Sequence, residues 1–158
     1  MADENTNTTT TETTQGTTQG TTQTTSVINE VMEAVIALMN ATSPFATVTR
    51  GALPTTEGIV CEVGPTIPNT LFWDKNTIVP LDVTINAKHP NLKTLSDTIN
   101  NIHGVLTRAK VYTEDTNKTR WQITDITTQN LPQIIGREQN NDWIMASALT
   151  VNFFWRGD

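Results

Sequence analysis

Leu81-Asp82-Val83-Thr84-Ile85-Asn86-Ala87 alternates apolar and polar side chains without a fault. Successive side chains on a strand point to opposite faces, so this stretch predicts a strand with one buried and one wet face. Immediately after it, His89-Pro90-Asn91 breaks the pattern, and Asn91 is placed to cap a helix. Leu92, Leu95, Ile99, Ile102 and Leu106 then recur at three- and four-residue spacing, which predicts an amphipathic helix ending near Arg108. Towards the C-terminus the period returns to two. Trp143–Trp155 reads as one long strand, with Met145, Ser147, Leu149, Val151, Phe153 and Trp155 on a single face.

The flanking segments extend the same alphabet. Val27, Ile28, Val31, Ala34, Val35, Leu38 and Met39 predict a first amphipathic helix from a cap at Ser26 to about Asn40, ended by Ser43-Pro44. Thr47–Arg50 and Gly58–Val63 read as short strands separated by turn material at Leu53–Gly58. Lys110–Thr113, Trp121–Thr127 and Pro132–Arg137 are further strand candidates, with a polar turn at Glu114–Lys118. The element order predicts an α+β fold, two helices packed on a mainly antiparallel sheet in a single domain over residues 26–158. Residues 1–25 form a separate, Thr-rich tail. Thirteen of the 25 are Thr and the only apolar side chains are Met1 and Ala2, so they offer almost nothing to offset the entropy of ordering, and disorder is expected.

Composition narrows the function classes. Of 158 residues, ten are Lys or Arg and sixteen Asp or Glu, a formal charge of −6. A chain that binds nucleic acid through its phosphates needs clustered cations, which this balance disfavours. Arg108, Lys110, Lys118 and Arg120 around Trp121 are the one basic grouping, and Glu114 and Asp115 in the same turn weaken it. No apolar run reaches the roughly 18 residues of a membrane span. One cysteine, Cys61, excludes an intrachain disulfide and any CxxC site. It sits in Ile59-Val60-Cys61-Glu62-Val63, where apolar neighbours raise a thiol pKa, so it reads as a strand hydrophobe and not as a nucleophile.

The two histidines carry no catalytic pattern. His89 precedes Pro90 and reads as a turn residue, and His103, beside Gly104 near a helix end, is placed where the helix dipole favours a protonated ring. Phosphate-cradling glycine loops and calcium loops are missing from the sequence, so no cofactor or metal is expected and an enzyme is the least expected outcome. What remains is surface. Leu71, Phe72 and Trp73 stand consecutively in the loop Pro68–Lys75, and aromatics amid low charge mark interface cores. These three are the candidate protein-contact residues.

Taken together, the N-terminal helix, Gly58-Ile59-Val60-Cys61-Glu62-Val63-Gly64-Pro65, Phe72-Trp73-Asp74-Lys75-Asn76, Val79–Asn86 and the ending Trp143–Trp155 resemble the minor capsid proteins of tailed phages that infect Gram-positive bacteria. Within them the pattern is similar to the tail terminator, or tail-to-head joining protein, of long-tailed phages. The resemblance spans about residues 26–155 and rests on element order. It implies an α+β subunit without catalysis that closes into a homo-hexameric ring, capping the tail-tube protein and meeting the head-connector protein. DNA would pass through that ring without sequence-specific binding, and the protein would be made in the host cytoplasm, reside in the virion and touch no membrane. A head-completion protein of the neck is a close alternative. A tail-tip carbohydrate-binding module, with Trp73 and Trp143 as stacking platforms, is a more distant one.

Two fates for Trp73 differ measurably. As an interface anchor, Trp73→Ala should cost about 2 kcal/mol or more in assembly and leave the isolated subunit's unfolding unchanged. As a lid on the core, the same change should destabilise the subunit by roughly 3–5 kcal/mol. Denaturant unfolding and tail joining, measured on one variant, separate them.

Overall fold

The architecture is an α+β sandwich, two helices against one face of a mostly antiparallel sheet. It comes from a computed structural model that describes residues 19–64, 70–71, 76–108 and 120–156, with the backbone alone for 19–26 and 70–71. The elements run α1 (Gln19–Asn40), β1 (Val48–Arg50), β2 (Gly58–Val63), β3 (Thr70–Leu71), β4 (Thr77–His89), α2 (Leu92–Arg108), β5 (Trp121–Arg137) and β6 (Trp143–Trp155). The expected strand at Lys110–Thr113 and residues 1–18 of the Thr-rich tail lie outside the described residues.

The sheet is ordered β1-β2-β4-β6-β5, with β3 added to the β2 side of β4. β4 and β6 form its spine. They pair antiparallel over thirteen consecutive residues, from Thr77↔Trp155 to His89↔Trp143, without a bulge. Alternation then does the sorting. Val79, Leu81, Val83, Ile85 and Ala87 of β4 and Met145, Ser147, Leu149, Val151 and Phe153 of β6 are buried beneath the helices. Leu95, Ile99, Ile102 and Leu106 of α2, with Val27, Val31, Val35 and Met39 of α1, complete that layer.

Caps and splints fix the helices. Asn91 Oδ1 accepts the Thr94 N–H at 3.1 Å, the N-cap that the sequence predicts. At the far end of α1, the Asn40 side-chain amide meets Val48 from both sides. Its Oδ1 accepts the Val48 N–H at 2.8 Å and its Nδ2 donates to the Val48 carbonyl at 3.3 Å, which ties the helix end to β1. β1 and β2 are parallel, joined by a short crossover through Gly51, whose φ of +115° suits glycine. A Cβ on Gly58 would come within 2.4 Å of the Pro54 ring, so the loop closes only over a glycine there.

Three expectations need correction. The first helix does not start at Ser26 but runs through it from Gln19. Residues 19–26 contain no apolar side chain, so hydrophobic period gives no signal there, whereas extending an existing helix costs far less than nucleating one. The strand around Leu81 begins earlier, at Thr77, and includes Pro80. Trp121–Thr127 and Pro132–Arg137 are one strand, in which seventeen residues of β5 face thirteen of β6. The surplus is absorbed at four register shifts, one of which contains Pro132.

The β4–β6 spine should dominate stability. Leu149→Ala, at a fully buried position, is expected to cost about 2–5 kcal/mol in denaturant unfolding, whereas Thr84→Ala on the opposite face should change it by roughly 0.5 kcal/mol or less.

Candidate functional site

Among the described residues no helix packs on the sheet's second face, although Val60, Lys88 and Ala148 on it are buried. Thr84, Asn86, Ala146, Ala148, Thr150 and Asn152 form its middle, in cross-strand pairs Thr84↔Ala148, Asn86↔Ala146 and Asp82↔Thr150. These side chains are small, three acids share the face (Glu62 opposite Thr84, Asp82, and Asp125 opposite Asn152), and the Asp82 carboxylate accepts the Thr150 hydroxyl at 2.8 Å. At one corner of this face Ile78 pairs with Phe154, and β3 brings the backbone of Thr70 opposite Ile78 and that of Leu71 opposite Thr77. The predicted contact stretch begins beside this corner, but Leu71 stands opposite Thr77, which belongs to the helix-covered phase of β4, and Phe72 and Trp73 lie outside the described residues.

At the opposite end of the same face stands a feature the sequence did not flag. Lys88 belongs to the polar phase of β4, yet it is only 2% exposed. Its ammonium donates to the Thr55 carbonyl at 3.0 Å and to Glu138 Oε2 at 3.1 Å. A buried ammonium is tolerated because both partners answer it. The result fastens the β1–β2 crossover to the β5–β6 turn. Nearby, His89 Nδ1 accepts the Asn91 N–H at 2.9 Å and Nε2 faces the Glu57 carboxylate at 3.3 Å, a turn role as expected.

His103 differs from expectation. It is buried, in phase with Ile99, Ile102 and Leu106, and packs between α2 and the sheet instead of reaching solvent at the helix end. That spacing was the available signal. Its Nδ1 lies 2.5 Å from Ser147 Oγ and its Nε2 lies 2.9 Å from Thr128 Oγ1. Ser147 Oγ in turn donates to the Asn130 carbonyl at 3.4 Å, so the consistent assignment has Nδ1–H donating to Ser147 and the Thr128 hydroxyl donating to Nε2. Burial holds the ring's pKa below the ordinary histidine value, which keeps it neutral and overturns the dipole-charged reading. Ser147 is itself buried and the third member of the chain is a hydroxyl and not a carboxylate, so the trio works as a polar lock on packing rather than as an activated nucleophile. Above it lies a cleft of about 860 Å³ between α2 and β5, lined by His103, Gly104, Thr128 and Leu131 among others.

The remaining sequence candidates resolve as follows. Cys61 is buried in β2, and burial pushes its thiol up to about 11, in keeping with an inert strand residue. Of the basic grouping, Arg120 Nη1 donates to Glu30 Oε1 and Trp121 Nε1 to Glu30 Oε2, each at 2.9 Å, so these two tie α1 to the start of β5. Lys110 and Lys118 lie outside the described residues. Arg137 stacks its guanidinium 4.7 Å from the Trp143 ring centroid, which takes one face of that candidate sugar platform out of use. Among the described residues no cluster of His, Cys, Asp or Glu is arranged to hold a metal, and no helix is long and apolar enough to cross a membrane. No protein-family model matches the chain, and no curated protein matches it.

The lock has a pH signature. Because the folded state holds His103 neutral while the unfolded chain titrates near 6.5, the unfolded state binds more protons as pH falls through that region. Stability is therefore expected to be full above about pH 6.5 and to decline below it, towards the lower folded pKa. Unfolding curves between pH 7.5 and roughly 4.5 should show that decline, and His103→Gln should flatten the part of it that this ring contributes.

Proposed function

We propose that this chain is a structural virion subunit of a long-tailed phage, a tail terminator that forms a ring on the tail tube and joins it to the head. The observation that carries the reading is the bare sheet face. Its middle is built mainly of Thr, Asn and Ala, with the Asp82 carboxylate answered by the Thr150 hydroxyl, and it ends at the Ile78–Phe154 corner beside β3. Charged residues are depleted where protein surfaces meet, and a face of small side chains lets another subunit approach closely. The two-layer α+β architecture is the one the resemblance implies, and the excess of acids over bases suits a wall past which DNA moves without adhering.

In this reading the partners are further copies of the chain in a six-fold ring, the tail-tube protein on one side and the head-connector protein on the other. The residues of β3 and the loop after it make the contact, and no catalytic step is involved. Reconstruction of the phage neck tests the assignment directly. Six-fold density that accommodates this α+β subunit at the end of the tail tube is the expected result. Three-fold or twelve-fold order for this chain, or its location in the tail tip, would reject it.

A further inference from the structure

We propose that the Thr-rich arm, residues 1–18, adds as a strand to the outer edge of β5 in another copy of this chain, centred on Ile126–Leu131. This goes beyond the ring reading and does not depend on it.

β5 is the last strand of the sheet, and among the described residues it pairs only with β6. The other side of an edge strand is a row of backbone N–H and C=O groups that a further strand can complete, and such edges are normally blunted by charge, proline or bulges. β5 has Pro132 and its register shifts, but from Ile126 to Gly136 it carries no charged residue. Thr127, Thr128, Gln129, Asn130 and Leu131 are all exposed, so the strand is open here on its faces as well as at its edge.

The chain itself supplies a strand of matching sequence. Thr-Thr-Gln occurs on this edge at 127–129 and elsewhere only at 13–15, 17–19 and 21–23. In β5 the tripeptide runs extended, with Thr127 opposite Thr150 and Thr128 opposite Leu149. The copy at 21–23 lies in α1, drawn into the helix by the core residues that follow, so context and not the tripeptide chooses the conformation. An open strand edge is the context that chooses extension, where Thr is at home and cross-strand Thr pairs contribute to pairing.

Charge and reach agree with that occupant. The arm carries Asp3, Glu4 and Glu12 and no base. Arg108 lines the α2–β5 cleft beside Thr128 and Leu131, and no acid among the described residues lines that cleft. The arm joins the fold at Gln19. From there α1 runs about 12 Å before Val27, its first core residue, and residues 19–26 have no apolar side chain to fasten them to their own domain. The arm is thereby rooted away from its own core. Eighteen extended residues span up to about 60 Å. Ile126–Leu131 needs roughly 20 Å of that, which leaves chain to cross to an adjacent copy.

Amide hydrogen exchange and sedimentation equilibrium of the full chain, over a wide concentration range, test this. The expected result is reversible self-association, with protection of the Ile126–Leu131 amides that grows with concentration. Thr10→Pro combined with Thr14→Pro removes two donors from the arm without touching the domain. Gln129→Glu sets a carboxylate on the edge against the acidic arm. Each variant is expected to weaken association by about tenfold or more and to remove the protection, with the unfolding midpoint retained. A synthetic peptide of residues 1–18, added in excess, should compete the copies apart. A chain that stays monomeric throughout overturns the proposal, as does association that both variants leave intact. Edge protection that the arm prolines remove equally at every concentration also overturns it, because the arm would then serve its own domain. Failure of the ring reading shows instead in the symmetry of the neck, so the two ideas fall separately.

Discussion

Everything in this domain hangs on the unbroken ladder between β4 and β6. Thirteen successive residue pairs place both strands in one phase, and that phase decides which side chains meet the helices and which meet the outside. β2 and β3 attach to one edge of the spine and β5 to the other, while α2 packs across β4, β6 and β5. Regularity at the centre makes irregularity at the margin affordable. β5 accommodates four register shifts and a proline because it has only to follow β6, whereas a single inserted residue in the spine would turn its core side chains outward.

The spine was also the most legible part of the sequence, for the same reason. Alternation through Leu81–Ala87 and Met145–Trp155 is a direct imprint of burial on one face. Legibility failed where a rule about local chemistry was overridden by context. Proline is a poor strand residue in general, yet Pro80 lies within β4 opposite Asn152, along a stretch whose other edge is laddered to neither β2 nor β3 among the described residues. Its missing N–H is tolerable there. Pro132 is likewise accommodated by irregular pairing. His103 was placed by its position near a helix end when its phase, four residues after Ile99, was the better guide. Of the proposed contact surface, the sequence pointed to the stretch beginning at Leu71 but gave no sign of the helix-free face beside it. Small polar residues at alternate positions look the same in sequence whether water or protein covers them.

Two surfaces of different character therefore coexist on one small domain. The helix-free face is polar, mainly Thr, Asn and Ala with a few acids, and continuous with the β3 corner. The β5 flank is rougher and greasier, and its shape arises from bulges that the spine does not share.

The polar contacts within the spine have a bearing on how the chain reaches its native state. Sliding β6 along β4 by two residues would preserve the facing of every side chain, so hydrophobic alternation alone does not forbid it. What distinguishes the native registry from those near-copies is polar. A slip in either direction would present His103 with Leu149 or Met145 in place of the Ser147 hydroxyl and would bury that hydroxyl away from the imidazole. On the other face, one direction of slip would set Asp82 against Ala148 instead of Thr150. Misaligned β4–β6 pairings are thereby penalised relative to the native registry. A buried histidine with two hydroxyl partners acts, in this sense, as a proofreading device for strand alignment.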